Sequence, residues 1–162
     1  MDIYGISVRQ PAPGDIVGDT LPIAALGTAF EATYVWRLVR GGHVLADGYF
    51  TAGSMGTMQT FVTEASVAGG AQPGPAVFEL AGDSGADEEE APAPEPTRVN
   101  VILIPGATGY VPYQVKRGDT LTAIVREVGG GAAVATVPNA ALASGLRDPN
   151  RIRPGQILRI PV

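Results

Sequence analysis

The chain has 162 residues, a net charge of −5, 45% apolar residues, 22 Gly, 14 Pro and no Cys. The missing cysteines exclude disulfides, thiolate metal sites and a cysteine nucleophile, and so many glycines and prolines imply many turns and short elements, favouring β-structure over a helix bundle. The charge is split: residues 1–105 carry 4 basic and 13 acidic side chains, whereas residues 106–162 carry 7 basic and 3 acidic, so the net values are −9 and +4.

The first predicted strand covers Ile3 to Val8 and stops at the turn cluster Gln10-Pro11-Ala12-Pro13-Gly14-Asp15, where proline fixes φ and removes amide donors. Leu21 to Gly27 and Ala32 to Arg40 follow, the latter with clear period-2 alternation and Trp36 as a candidate core anchor. Gly41-Gly42 supplies the positive φ angles of a tight hairpin, so His43 to Phe50 returns as the paired strand. Met58 to Val67, Ala76 to Leu80 and Arg98 to Ile104 complete seven short strands, with a turn at Gly69 to Gly74. Their number and spacing suggest a β-sandwich.

Between the last two strands, residues 82–97 combine little apolar content with like charge, which predicts a flexible acidic loop. Asp83, Asp87 and Glu90 lack the alternating ligand spacing and fixed glycine of a calcium-binding EF-hand loop, so no metal site is expected. Val17 to Gly27, Phe30-Glu31-Ala32-Thr33, Val44-Leu45-Ala46 and Val99-Asn100-Val101 resemble the immunoglobulin-like domain found beside bacterial spore-germination and lipoprotein modules. The resemblance covers about residues 3–104 and implies an accessory or adhesion-type sandwich, with no site residues.

After Pro105 to Gly109, Tyr113 to Val115 reads as a strand that turns at Gly118 into a helix, Leu121 to Val128, with Leu121, Ile124, Val125 and Val128 on one face and either Asp119 or Thr120 as its cap. Gly129-Gly130-Gly131 breaks that helix, and Thr136-Val137-Pro138 opens a second one running through Ala143 and Ser144. Asp148 to Gln156 then makes an irregular turn into the strand Ile157 to Pro161. The order is βααβ.

That order is carried by two blocks, Tyr113-x-Val115-x-x-Gly118-Asp119-Thr120-Leu121-x-x-Ile124 and Asp148-Pro149-Asn150-x-Ile152-x-Pro154-Gly155-Gln156-x-Leu158-x-Ile160-Pro161. Over residues 110–161 they resemble the LysM family. The predicted fold class is therefore two-domain and mainly β: an immunoglobulin-like β-sandwich over 1–105, then a small βααβ LysM module over 106–162. The resemblance implies binding of peptidoglycan or a related N-acetylglucosamine polymer in a shallow groove, with Gly118, Asp119, Thr120 and Leu121 on one lip and Asp148, Asn150, Arg151 and Ile152 on the other. Amides, Asp and Asn can hydrogen-bond an acetamido group and hydroxyls, and Leu121 and Ile152 can receive its methyl. Each residue also has a plain structural role: Asp119 and Thr120 as caps, Leu121 and Ile152 as core. This chain departs from the family in having Ser144 where an asparagine usually ends the second helix, in the many alanines of that helix, and in lacking aromatic residues at the lips.

Catalysis is not expected, because the sole histidine, His43, adjoins a turn, Ser54 misses the spacing of a nucleophile elbow, and Gly69 to Gly74 lacks the strand-to-helix context of a phosphate loop. No cofactor is expected either. The basic C-terminal part could approach nucleic acid, anionic wall polymers or the acidic first domain, but a solvated surface explains its charge more simply, and no nucleic-acid partner is expected. No apolar run approaches the ~20 residues that span a bilayer. Without a signal peptide in these residues, the expectation is a chain that is cytoplasmic as synthesised, or wall- or virion-associated if trimmed or released by lysis. The alternative function is a structural adaptor in a larger assembly, such as a phage tail or contractile injection baseplate, whose LysM module joins protein partners.

Overall fold

A computed structural model describes residues 5–67, 69–83, 85 and 94–162. In chain order the elements are β1 (Ser7–Gln10), β2 (Ile16–Val17), β3 (Thr20–Gly27), β4 (Thr33–Arg40), β5 (His43–Thr51), β6 (Gln59–Ser66), β7 (Gly74–Gly82), β8 (Thr97–Leu103), β9 (Tyr110–Gln114), α1 (Leu121–Val128), α2 (Val137–Ala143) and β10 (Ile157–Pro161). They fall into two compact units, the first made of Met1–Asp15, Thr20–Ala68 and Pro75–Val101, the second of Ile16–Asp19, Gly69–Gly74 and Ile102–Val162.

The strands before residue 105 form two sheets, ordered β1-β3-β6 and β2-β8-β7-β4-β5. Alternation decides which side chains face inward: Leu21, Ile23 and Ala25 of β3, Tyr34, Trp36 and Leu38 of β4, and Ala76, Phe78 and Leu80 of β7 are all buried. The rings of Tyr34 of β4 and Phe61 of β6 meet at a tilt of 43° with centroids 4.6 Å apart, so the inner faces of the two sheets meet there. The β4–β5 hairpin turns on Gly41 and Gly42, with φ of 56° and 81°, as a two-residue turn between twisted strands requires. Trp36 is buried opposite Gly48 in the ladder, and a β-carbon on Gly48 would lie 2.9 Å from the indole Nε1. The glycine makes room for the ring.

Several element bounds differ from the sequence reading, β1 running Ser7–Gln10, β7 Gly74–Gly82 and β9 Tyr110–Gln114, and two further differences have a physical reason. Strand β4 starts at Thr33, because Glu31 and Ala32 hold left-handed φ of 49° and 55° that a strand cannot continue through. An eighth strand, β2, pairs in parallel with β8 through Ile16–Ile102 and Val17–Leu103. A two-residue strand is too short to show alternation, and its partner lies far along the chain. Of the first predicted strand, Ile3 and Tyr4 lie outside the described residues, as do Ser84 and residues 86–93 of the predicted acidic loop, including Asp87 and Glu90. Asp83 is described, and its Oδ1 accepts the Gly85 amide at 3.0 Å.

In the second unit, β9 and β10 pair antiparallel from Gln114–Ile157 to Tyr110–Pro161. Both helices cover this ribbon, and Val115, Leu121, Ile124, Val125, Ala140, Ala141, Leu158 and Ile160 close into one core. The alanines of α2 have a packing reason: Ala140 and Ala141 belong to that core, while Ala143 joins Ile104 and Ala107 in a second cluster on which Ile16, Ile102 and Leu142 pack. Small side chains let a helix be covered on both sides. Gly18 serves the same close packing, since a β-carbon there would overlap the Ala107 carbonyl oxygen. Among the described residues, no helix is long and apolar enough to cross a membrane.

Candidate functional site

The antiparallel register of β9 and β10 puts the loop after β9 and the loop before β10 at the same end of the ribbon. Two more backbone bonds hold their roots together: the Val115 amide donates to the Gln156 carbonyl and the Gly155 amide to the Val115 carbonyl, both at 2.8 Å. The residues between these roots and the helices form two lips.

On the first lip, the choice between the two candidate caps is resolved. Thr120 has extended backbone and its Oγ1 accepts the Ala123 amide at 3.2 Å, so it is the N-cap of α1. Asp119 turns the other way: its Oδ2 accepts the Lys116 amide at 2.7 Å and the Tyr113 hydroxyl at 2.9 Å. Donation to that carboxylate, then burial and the negative charges of Asp119 and Glu127, raise the Tyr113 phenol above its ordinary pKa of 10.0. Gly118 is exposed at φ +91°, with open space where a β-carbon would sit. Leu121 is only 2% exposed and belongs to the core.

The second lip is built on Asp148. Its Oδ1 accepts the Asn150 amide at 2.9 Å, its carbonyl accepts the Arg151 amide at 3.1 Å, and its Oδ2 lies 3.3 Å from Arg151 Nε. Such an Asx-type turn holds the loop without neighbouring strands. The Asn150 side chain is exposed and has no partner among the described residues. Ile152 is half-buried against the same core as Leu121. The structure thus joins Leu121 and Ile152 through one apolar cluster and gathers the polar residues into two separate turns. Among the described residues, no hydrogen bond crosses from one lip to the other.

An open concavity of about 360 Å³ adjoins the second lip, lined by Gly145, Leu146, Arg147, Asp148 and Arg151. Of the eight residues nominated from sequence, only Asp148 and Arg151 line it; Gly145, Leu146 and Arg147 were missed. A local signal does exist for them. Gly145 follows the last helical turn at φ +65°, its amide donates to the Leu142 carbonyl and the Leu146 amide to the Ala141 carbonyl, at 3.1 and 2.8 Å, which is a Schellman ending that Ser-Gly-Leu encodes. Ser144, in place of the usual asparagine, accepts the Arg159 amide at 2.9 Å and donates to its carbonyl at 3.3 Å, tying the end of α2 to β10.

Around the lips Lys116, Arg117, Arg147, Arg151 and Arg153 are all exposed, whereas the carboxylates of Asp119 and Asp148 are each taken up by a backbone amide. The surface is therefore basic, with hydrogen-bonding groups and two apolar residues behind them. Elsewhere His43 is exposed at the start of β5, and Ser54 forms an isolated bridge with Thr57.

Comparison with known families divides the chain in the same order as its architecture. Residues 5–89 match the model of the immunoglobulin-like domain of bacterial spore germination, and residues 113–161 match that of the LysM domain. No curated protein matches the chain. Both families are generally non-catalytic binding modules, and the LysM domain is a peptidoglycan- and chitin-binding module, which supports a glycan-binding role.

Proposed function

Because this chain belongs to the family of the immunoglobulin-like domain of bacterial spore germination and carries a LysM domain after it, we propose that it is a non-catalytic peptidoglycan-binding protein. In this reading the sandwich of residues 1–105 is an accessory domain, and the LysM module of 106–162 takes the N-acetylglucosamine residues. The observation that carries it is the pair of loops at one end of the β9–β10 ribbon, rooted together by the bonds of Val115 to Gly155 and Gln156.

The roles divide by how far each side chain is already committed. Gly118, Asn150 and Arg151 are exposed and supply the hydrogen bonds to acetamido and hydroxyl groups. Asp119, Thr120 and Asp148 shape the two turns through their own backbone bonds. Ile152, half-buried, backs the groove with apolar surface, and Leu121 supports it from within the core. With no aromatic among the eight residues, a single module binds weakly, ~0.1–1 mM, and retention on a polymer depends on avidity.

The missing aromatic platform also favours a second reading, a structural adaptor whose LysM module joins protein partners in an assembly such as a phage tail or injection baseplate. Pull-down on insoluble peptidoglycan separates them. The first reading expects retention of the folded full chain in low salt that soluble N-acetylglucosamine oligomers reverse; passage of folded protein through the washed polymer sinks it.

A further inference from the structure

The exposed cations at the lips are more than a glycan with only neutral groups requires, and two of them line the concavity. Arg147 is exposed and has no partner among the described residues. Arg151 spends its Nε on Asp148 at 3.3 Å and leaves the rest of its guanidinium, on a side chain 86% exposed, free to bond outward. The one acid in the lining, Asp148, is occupied on both oxygens, by the Asn150 amide and by Arg151. Its charge is thus partly met before any ligand arrives.

Gly145 contributes no side chain and has open space where a β-carbon would point, so the hollow stays open on that side. Leu146, half-buried against the core, offers it an apolar wall. Two arginines and an apolar residue around a space of about 360 Å³ match a sugar ring that bears a carboxylate. Guanidinium forks pair with planar carboxylates through two parallel hydrogen bonds, and such charge-assisted bonds are stronger than neutral ones.

We propose that the concavity formed by Gly145, Leu146, Arg147, Asp148 and Arg151 receives a carboxylate carried by the glycan, so that the module prefers acidic, peptidoglycan-type chains to neutral chitin-type chains. The proposal rests on the glycan-binding reading above. A peptidoglycan strand offers this chemistry from two sources: the lactyl ether of a sugar stripped of its peptide, and the free carboxyl groups of a peptide stem.

Calorimetric titration of the full chain at low salt tests it with four oligomers of equal length: chitin-type, stem-free with free lactyl carboxylates, the same with those carboxylates converted to primary amides, and stem-bearing. An acidic oligomer should bind about two- to fivefold more tightly than the amide and the chitin-type oligomer, the gain of an exposed charge pair. Whichever acidic form binds best identifies the source. The preference should shrink as salt rises toward 0.5 M, and Arg147→Gln should bring the acid-to-amide ratio close to one. Equal binding of all four oligomers overturns the proposal and leaves the glycan-binding reading standing. Binding of none overturns both.

Discussion

Leu121 is nominated by sequence as a ligand contact, yet its side chain is 2% exposed within the core of Val115, Ile124, Val125, Ala140, Ala141, Leu158 and Ile160. Truncation to alanine removes three carbons, each worth about 0.8 kcal/mol of burial, or about 2.4 kcal/mol before any cavity is counted. The neighbours are drawn from two short helices and a ribbon pinned by five residue pairs, which limits collapse into the hole, so the total should reach about 3–4 kcal/mol. A core this small seldom supplies more than about 3–5 kcal/mol in all. Leu121→Ala should therefore abolish amide-exchange protection in β9, α1 and β10, and lose glycan binding only as a consequence. Asn150→Ala, which removes no bond within the protein, should instead weaken binding with protection intact. A Leu121→Ala protein that keeps its protection but loses binding would refute the assignment of Leu121 to the core.

Thr120→Ala removes the only side-chain cap of α1 and should destabilise the βααβ module by about 1 kcal/mol in denaturant unfolding, with Thr120→Ser restoring most of the loss. Tyr113 gives a pH signature: its folded-state pKa is raised, so the stability it contributes is fully present below pH 10.0 and is lost as pH rises through the folded value. Ultraviolet titration of Asp119→Ala should show one tyrosine returning toward its ordinary value, because the chief cause of the shift is gone. Gly18→Ala should lower the melting temperature, since the new β-carbon would overlap the Ala107 carbonyl oxygen and backbone would have to move.

The second unit was more legible in sequence than the first because its signals are local. Thr120 and Thr136 both act as caps, Pro138 sits in the first turn of α2, and Gly129 to Gly131 end α1, so the helices span Leu121–Val128 and Val137–Ala143 much as the pattern implies. Alternation likewise marked the buried face of β4. What sequence left open was set by which of several partners each group meets. Asp119 faces Tyr113 and Lys116 instead of capping α1, and β2 exists only because Ile102 and Leu103 return beside Ile16 and Val17. The concavity was missed for a different reason. The eight nominated residues followed the family's blocks, and Gly145, Leu146 and Arg147 lie between them.

Backbone amide shifts of the isotope-labelled chain, followed while an N-acetylglucosamine-containing peptidoglycan oligomer is titrated in, test the central claim most directly. The account predicts saturable changes concentrated at residues 117–121 and 145–152. Changes confined to residues 5–89, or none at ligand concentrations of several mM, would contradict it.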